Sequence, residues 1–205
     1  MTRMFRVATC CLIACLAMPL GAGVDRVSPS VLTVILNFKG PHSRVSLKEM
    51  ERESGLILRS SGVKLDWHNL GDDPYASYPD LVVMTFRGAC QYEPAGPVYN
   101  EPGSLAITHE ADGEILPFGE VDCDRVVNSA RSAMTYADYT RADLLVGRAL
   151  GRVVAHELVH MITRSEHHAK EGVLSPALSG KQLIGEYLPL SALDVDRLKL
   201  ELQGR

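Results

Sequence analysis

His156-Glu157-Leu158-Val159-His160 constrains this chain more than any other stretch. It closes a long helical pattern that opens near Thr140. Residues four apart lie on one face of an α-helix, so His156 and His160 can offer two imidazole nitrogens to a single metal ion. Glu157 stands beside them, close enough to act on a water molecule without taking a coordination position. This is the H-E-x-x-H pattern of helix-borne zinc sites. The fold must then supply a long helix ending near Ile162 and a return of the chain that brings up a further ligand. The plainer alternative is a pair of histidines exposed on a helix with no metal.

A catalytic zinc site takes three protein ligands and keeps one position for water. Glu166, His167 and His168 follow the motif, and Glu186 lies further on. The helix cannot continue through 163–168 and still aim at the same ion, so the chain must turn back after about Ile162. Gly172 suits a tight turn beyond His168, and the apolar pair Val173-Leu174 follows it. Spacing alone leaves Glu166, His167 and His168 open. Glu186 ranks last, because 183–187 lacks a convincing helix to present it.

The segment 156–174 resembles the active-site region of the metzincin clan of zinc endopeptidases, whose usual pattern is H-E-x-x-H-x-x-G-x-x-H followed by a methionine-bearing turn. Thr163 stands where the glycine is expected and Glu166 where the third histidine is expected. The segment is more similar to a variant in small secreted bacterial metzincin-like proteins, in which the third histidine comes two residues later. That alignment implies His156, His160 and His168 as ligands of Zn2+, Glu157 as general base, and Leu174 in the place of the methionine that packs beneath the metal. It also implies the fold: an α+β or α/β arrangement with a mixed, twisted sheet of four to five strands, two long helices and a small C-terminal subdomain. The upper subdomain would be 24–163 and the lower 164–205. Residues 103–108 would form the cleft's edge strand and hold a peptide or protein substrate by backbone hydrogen bonds. The implied activity is hydrolysis of peptide bonds by a zinc-activated water. The competing reading is a non-catalytic zinc-binding domain, closed by a fourth ligand such as Glu166.

A chain of 205 residues, 46% of them hydrophobic, suits one globular domain. Its N-terminus stands apart. Arg3 and Arg6 precede an apolar run over 7–20 and the small residues Gly21-Ala22-Gly23, the layout of a secretory signal peptide over 1–23. The expectation is a secreted or periplasmic protein with no room for an inhibitory prodomain before the first strand. Leu12-Ile13-Ala14-Cys15 resembles a lipoprotein box, and lipidation of Cys15 would be the route to a membrane. The net charge of −4 becomes more negative once Arg3 and Arg6 are removed, and an acidic chain without a basic run is a poor nucleic-acid binder. Cys90 and Cys123 are the cysteines left beyond the signal, which in an exported chain points to a disulfide; two reduced core cysteines are the alternative.

The remaining pattern reads strand, helix, four strands, then the metal-motif helix. The β-branched run 31–38 is a buried strand. Ser46 caps a helix reaching about Arg59, and strands follow over 63–67, 81–86, 104–109 and within 115–121. Thr140 with Asp143 three later suggests the start of the motif helix. An amphipathic segment over 190–202 carries Leu193, Leu198, Leu200 and Leu202. His42, His68 and His109 read as surface or loop residues, and Arg148 and Arg152 as a solvated helix face.

Overall fold

The computed structural model describes residues 30–73, 75–94 and 103–204. The expected signal segment, with Cys15, lies outside them. Strand β1 (Ser30–Phe38) is followed by α1 (Arg44–Leu58), β2 (Val63–Asn69), β3 (Leu81–Arg87), β4 (Ala106–Ala111), β5 (Glu114–Asp122), α2 (Cys123–Ser132), α3 (Ala142–Thr163), α4 (Gly180–Ile184) and α5 (Ala192–Gln203). The five strands form one sheet in the order β2-β1-β3-β5-β4. All neighbours run parallel except β4, which pairs antiparallel with β5 at the edge. The mixed sheet, the two long helices α1 and α3, and the edge position of the fourth strand agree with expectation. None of the described helices is long and apolar enough to cross a membrane.

Period-two alternation builds the sheet's inner face. Leu32, Val34 and Leu36 of β1 are buried, and Val82, Met84 and Phe86 are buried on β3, with Val34 opposite Val82 and Leu36 opposite Met84. They join Met50, Leu58, Leu150 and Val154 from α1 and α3 in one continuous core. Each such side chain contributes about 1.5–3 kcal/mol through burial. Helices α1 and α3 approach very closely. A Cβ on Gly147 would meet Ser46 O at 2.4 Å, and one on Gly151 would meet Met50 O and Glu53 Cβ at 2.8 Å. The Gly147-x-x-x-Gly151 spacing therefore marks a packing seam that hydrophobic periodicity does not reveal.

Several boundaries differ from the sequence reading. Ser43 caps α1, its hydroxyl accepting from Val45 N and Ser46 N. Ser46 is buried instead, and its hydroxyl donates to Asp143 O at 2.9 Å. A 3-10 turn, Tyr136–Arg141, opened by a Thr135–Asp138 capping box, precedes α3. Thr140 caps nothing, and the Asp143 carboxylate accepts from Tyr92 N at 2.7 Å, pinning the loop after β3. Helix α2 was not foreseen. It begins directly off β5 with no glycine or proline between them, its N-terminus capped by Asp122. On α5, Leu198 is buried while Leu193 and Leu200 are exposed, so the apolar stripe is narrower than the leucine spacing suggests.

The largest correction concerns Arg148 and Arg152. Arg152 is fully buried and is among the largest buried side chains of the molecule. Its Nε donates to Glu53 Oε1 at 2.8 Å and its Nη2 to Gly185 O at 2.8 Å, with a further bond to Gln182 O. Arg148 donates to Ile184 O and Gly185 O, both at 3.1 Å. Five-residue α4 leaves carbonyls unpaired at its C-terminus, and these two guanidinium groups satisfy them. Helix α4 ends at Ile184, so Glu186 lies beyond it and, as expected for 183–187, no helix presents that carboxylate. Cys90 and Cys123 form the expected disulfide, tying the loop after β3 to the start of α2. Closing that loop contributes about 2–4 kcal/mol.

Candidate metal centre

Helix α3 ends at Thr163, and Arg164 adopts a left-handed backbone with φ of 46°. Thr163, where the resemblance places a turn glycine, is still helical and donates its hydroxyl to Val159 O at 2.8 Å. The reversal thus comes one residue later than the family pattern, at a non-glycine position. Left-handed backbone at such a residue costs about 1–2 kcal/mol. It swings the next peptide back over the helix end, where Ser165 O accepts a hydrogen bond from His160 Nδ1 at 2.6 Å. A second return follows at Gly172, whose φ is 79° and where a Cβ would lie 2.5 Å from Pro189 O. Ala169 N donates to Leu174 O, closing this turn, and Val173 O accepts from His156 Nδ1 at 2.8 Å. Leu174 is buried in the core.

These two carbonyls decide the tautomers. A ring nitrogen facing a carbonyl carries the proton, so Nε2 of His156 and of His160 presents a lone pair. His168, brought up by the turn, places its own Nε2 3.3 Å from His156 Nε2, which lies 3.0 Å from His160 Nε2. The His156–His160 contact sets lone pair against lone pair and is therefore not a hydrogen bond. In a tetrahedral zinc site with Zn–N bonds of about 2.0–2.1 Å, ligand nitrogens stand about 3.3–3.4 Å apart, an edge that the His156–His168 separation matches and the His156–His160 separation falls a little short of. His156, His160 and His168 are the group among the described residues whose ligand atoms converge in this way, all within 4.8 Å of one another.

Burial favours the uncharged, metal-binding form of His156 and His168. Burial, aided by the neighbouring histidines and opposed by the Val173 bond, holds His156 down at about 4. His168 is lowered by burial and then by His160 and His167. Glu157 is buried, and its carboxyl is raised above the usual carboxylate range by burial, against the opposing influence of Thr108 and His160. The Thr108 hydroxyl donates to Glu157 Oε2 at 2.7 Å.

The other candidates fall outside this group. Glu166 is exposed and lines the cleft without joining the group, and its proximity raises the pKa of Glu110 on β4. His167 is exposed, as is Glu186. His42 stacks on Phe38, His68 lies against Asp66 and Tyr78, and His109 is exposed on β4. The three imidazoles and Glu157 sit in a cleft of about 740 Å³ bordered on one side by 103–108 and on the other by 175–178. Strand β4 is the edge strand, so its outer backbone borders the cleft unpaired by any described strand. The Thr108 contact and the carbonyls of Ser165 and Val173 were not foreseen. They come from residues up to 49 positions away along the chain, and no local pattern announces them.

No family model and no curated protein matches the chain. Among solved structures it is similar to the crystal structure of archaemetzincin from Methanopyrus kandleri, at 14% identity and a TM-score of 0.49, with 88% of this chain and 99% of that chain covered.

Proposed function

We propose that this protein is an exported zinc-dependent endopeptidase, with His156, His160 and His168 as metal ligands and Glu157 as general base. One observation carries the reading. Three imidazoles converge their ring nitrogens in an open cleft, two of them oriented by backbone carbonyls, with a buried carboxylate on the same helix. The donor set fits zinc in number, softness and spacing. Three ligands also fit a site that keeps a position open, and Glu166, which would close it, does not join the converging group.

Zinc bound there would acidify water and polarise a carbonyl oxygen. Glu157 accepts the proton of the attacking water and passes it to the departing amine, so that the peptide bond becomes a carboxylate and a free amine. Its raised pKa suits both halves of that transfer. The backbone edge of β4, which no described strand pairs, holds an extended peptide by strand addition along the cleft. Export rests on the signal-like residues 1–23.

The test is metal removal and return. Chelator-stripped protein should lose cleavage of a quenched-peptide library, and one equivalent of zinc should restore it. Hydrolysis that persists in stripped protein, or zinc-loaded protein that cleaves no peptide in the library, would overturn the reading.

A further inference from the structure

Glu157 and Met161 stand one turn apart on α3 and share a face. That face meets two residues that are themselves partners across the β4–β5 ladder, Thr108 and Gly119. Met161 lies over Gly119, where a Cβ would come within 2.5 Å of Met161 Cε and 2.9 Å of Met84 Sδ. The missing side chain lets the helix settle close to the sheet edge. Beside it the Thr108 hydroxyl reaches Glu157 Oε2 at 2.7 Å. The ladder slips between Thr108 and Glu110, so Thr108 ends the regular pairing just before an irregularity of the kind that re-aims side chains next to active sites.

A glutamate ends in a broad, nearly free torsion, so a buried carboxylate with no partner would sample many orientations. We infer that Thr108 is the positioning residue for Glu157: its hydroxyl holds Oε2 and leaves Oε1 to handle the proton. This inference rests on the peptidase reading above. Strand β4 then has two tasks. Its backbone edge takes the substrate, and its Thr108 side chain fixes the base, which couples the register of a bound peptide to the orientation of the group acting on it.

Two variants separate the hydroxyl from the side chain's shape. Thr108→Val is nearly isosteric and removes the donor; Thr108→Ser keeps it. In zinc-loaded protein, T108V should lower kcat by about 10- to 100-fold, the size of one charge-assisted hydrogen bond, with KM and zinc content unchanged. T108S should stay within about threefold of wild type. An independent measurement needs no turnover. The infrared carboxylate stretch of Glu157, isolated by difference against E157Q in glutamate-labelled protein, should move in T108V and stay in place in T108S. Equal losses of activity in the two variants, or a stretch unmoved in T108V, would overturn the assignment. If wild type cleaves no peptide, the peptidase reading fails, and the infrared comparison still decides whether Thr108 holds the carboxylate.

Discussion

Arg152 and His156 stand one turn apart on α3, and the chain treats them in opposite ways. Arg152 is fully buried, and its donors are taken by Glu53 and by the carbonyls of Gln182 and Gly185. Burial lowers its pKa, but the Glu53 partner opposes that shift. His156 has its Nδ1 satisfied by Val173 O, yet its Nε2 lone pair faces the Nε2 atoms of His160 and His168. A buried polar group whose bonds are complete is architecture. One whose bonds are arranged to leave a convergent, unsatisfied lone pair is poised for a ligand. The first half of α3 is therefore a strut, clamped to α1 by the Gly147 and Gly151 seam, and the second half is an instrument mounted on it.

That contrast predicts a clean separation of effects. The largest belongs to Glu157. On the proposed peptidase function, E157Q should reduce peptide cleavage by about 100- to 10,000-fold while zinc content and thermal stability hold, because glutamine keeps the size and loses the proposed base. Parallel assays of cleavage, metal and melting would break the comparison if stability fell with activity. On the strut side, Arg152→Met should destabilise by about 3–5 kcal/mol, read as a lower urea midpoint, because Glu53 is left buried with its main partner gone. Pairing it with Glu53→Leu should recover much of that loss, whereas a network serving the chemistry would not be restored by an apolar pair.

His168→Ala should weaken zinc binding by at least about 100-fold, at or above what the loss of a supporting contact to a ligand costs, while His167→Ala should leave it near wild type. Competition titration against a chromophoric chelator reads both. A reversed order would mean that the turn presents the neighbouring imidazole. The smallest effect is a pH dependence of metal-free protein. Burial holds folded His156 at about 4 against an ordinary 6.5, so the unfolded chain takes up the proton first. The stability that a neutral His156 contributes is complete above about pH 6.5 and drains away as the pH falls towards about 4. Urea midpoints of stripped protein should decline over that window, and the decline should be shallower in His156→Ala.

Features carried by short-range periodicity were legible in the chain. The strands of 31–38 and 81–86 show as short apolar, β-branched runs, and the disulfide partners were the cysteines left beyond the signal-like segment. The paired histidines on one helix face need only the 3.6-residue turn. Arg152 misled, because an arginine on a helix is normally solvated and nothing local shows that Glu53 and the end of α4 close over it. Helix α2 was missed because β5 runs into it without a breaking residue, and the N-cap of α1 was placed at Ser46 where the structure uses Ser43.

The candidate site divides along the same line. The residues by themselves determined the two helix histidines, the adjacent carboxylate and the need for the chain to double back, since each follows from helix geometry and metal valence. They left three neighbouring donors open for the remaining position. The family resemblance singled out His168, and the tertiary structure brings it into the group through the left-handed turn at Arg164 and the Gly172 turn braced on Pro189. Only the tertiary structure placed Thr108 on Glu157 and the carbonyls of Ser165 and Val173 on the rings. The reason is physical: which nitrogen keeps its lone pair depends on what the other nitrogen meets, and that partner comes from a different part of the fold.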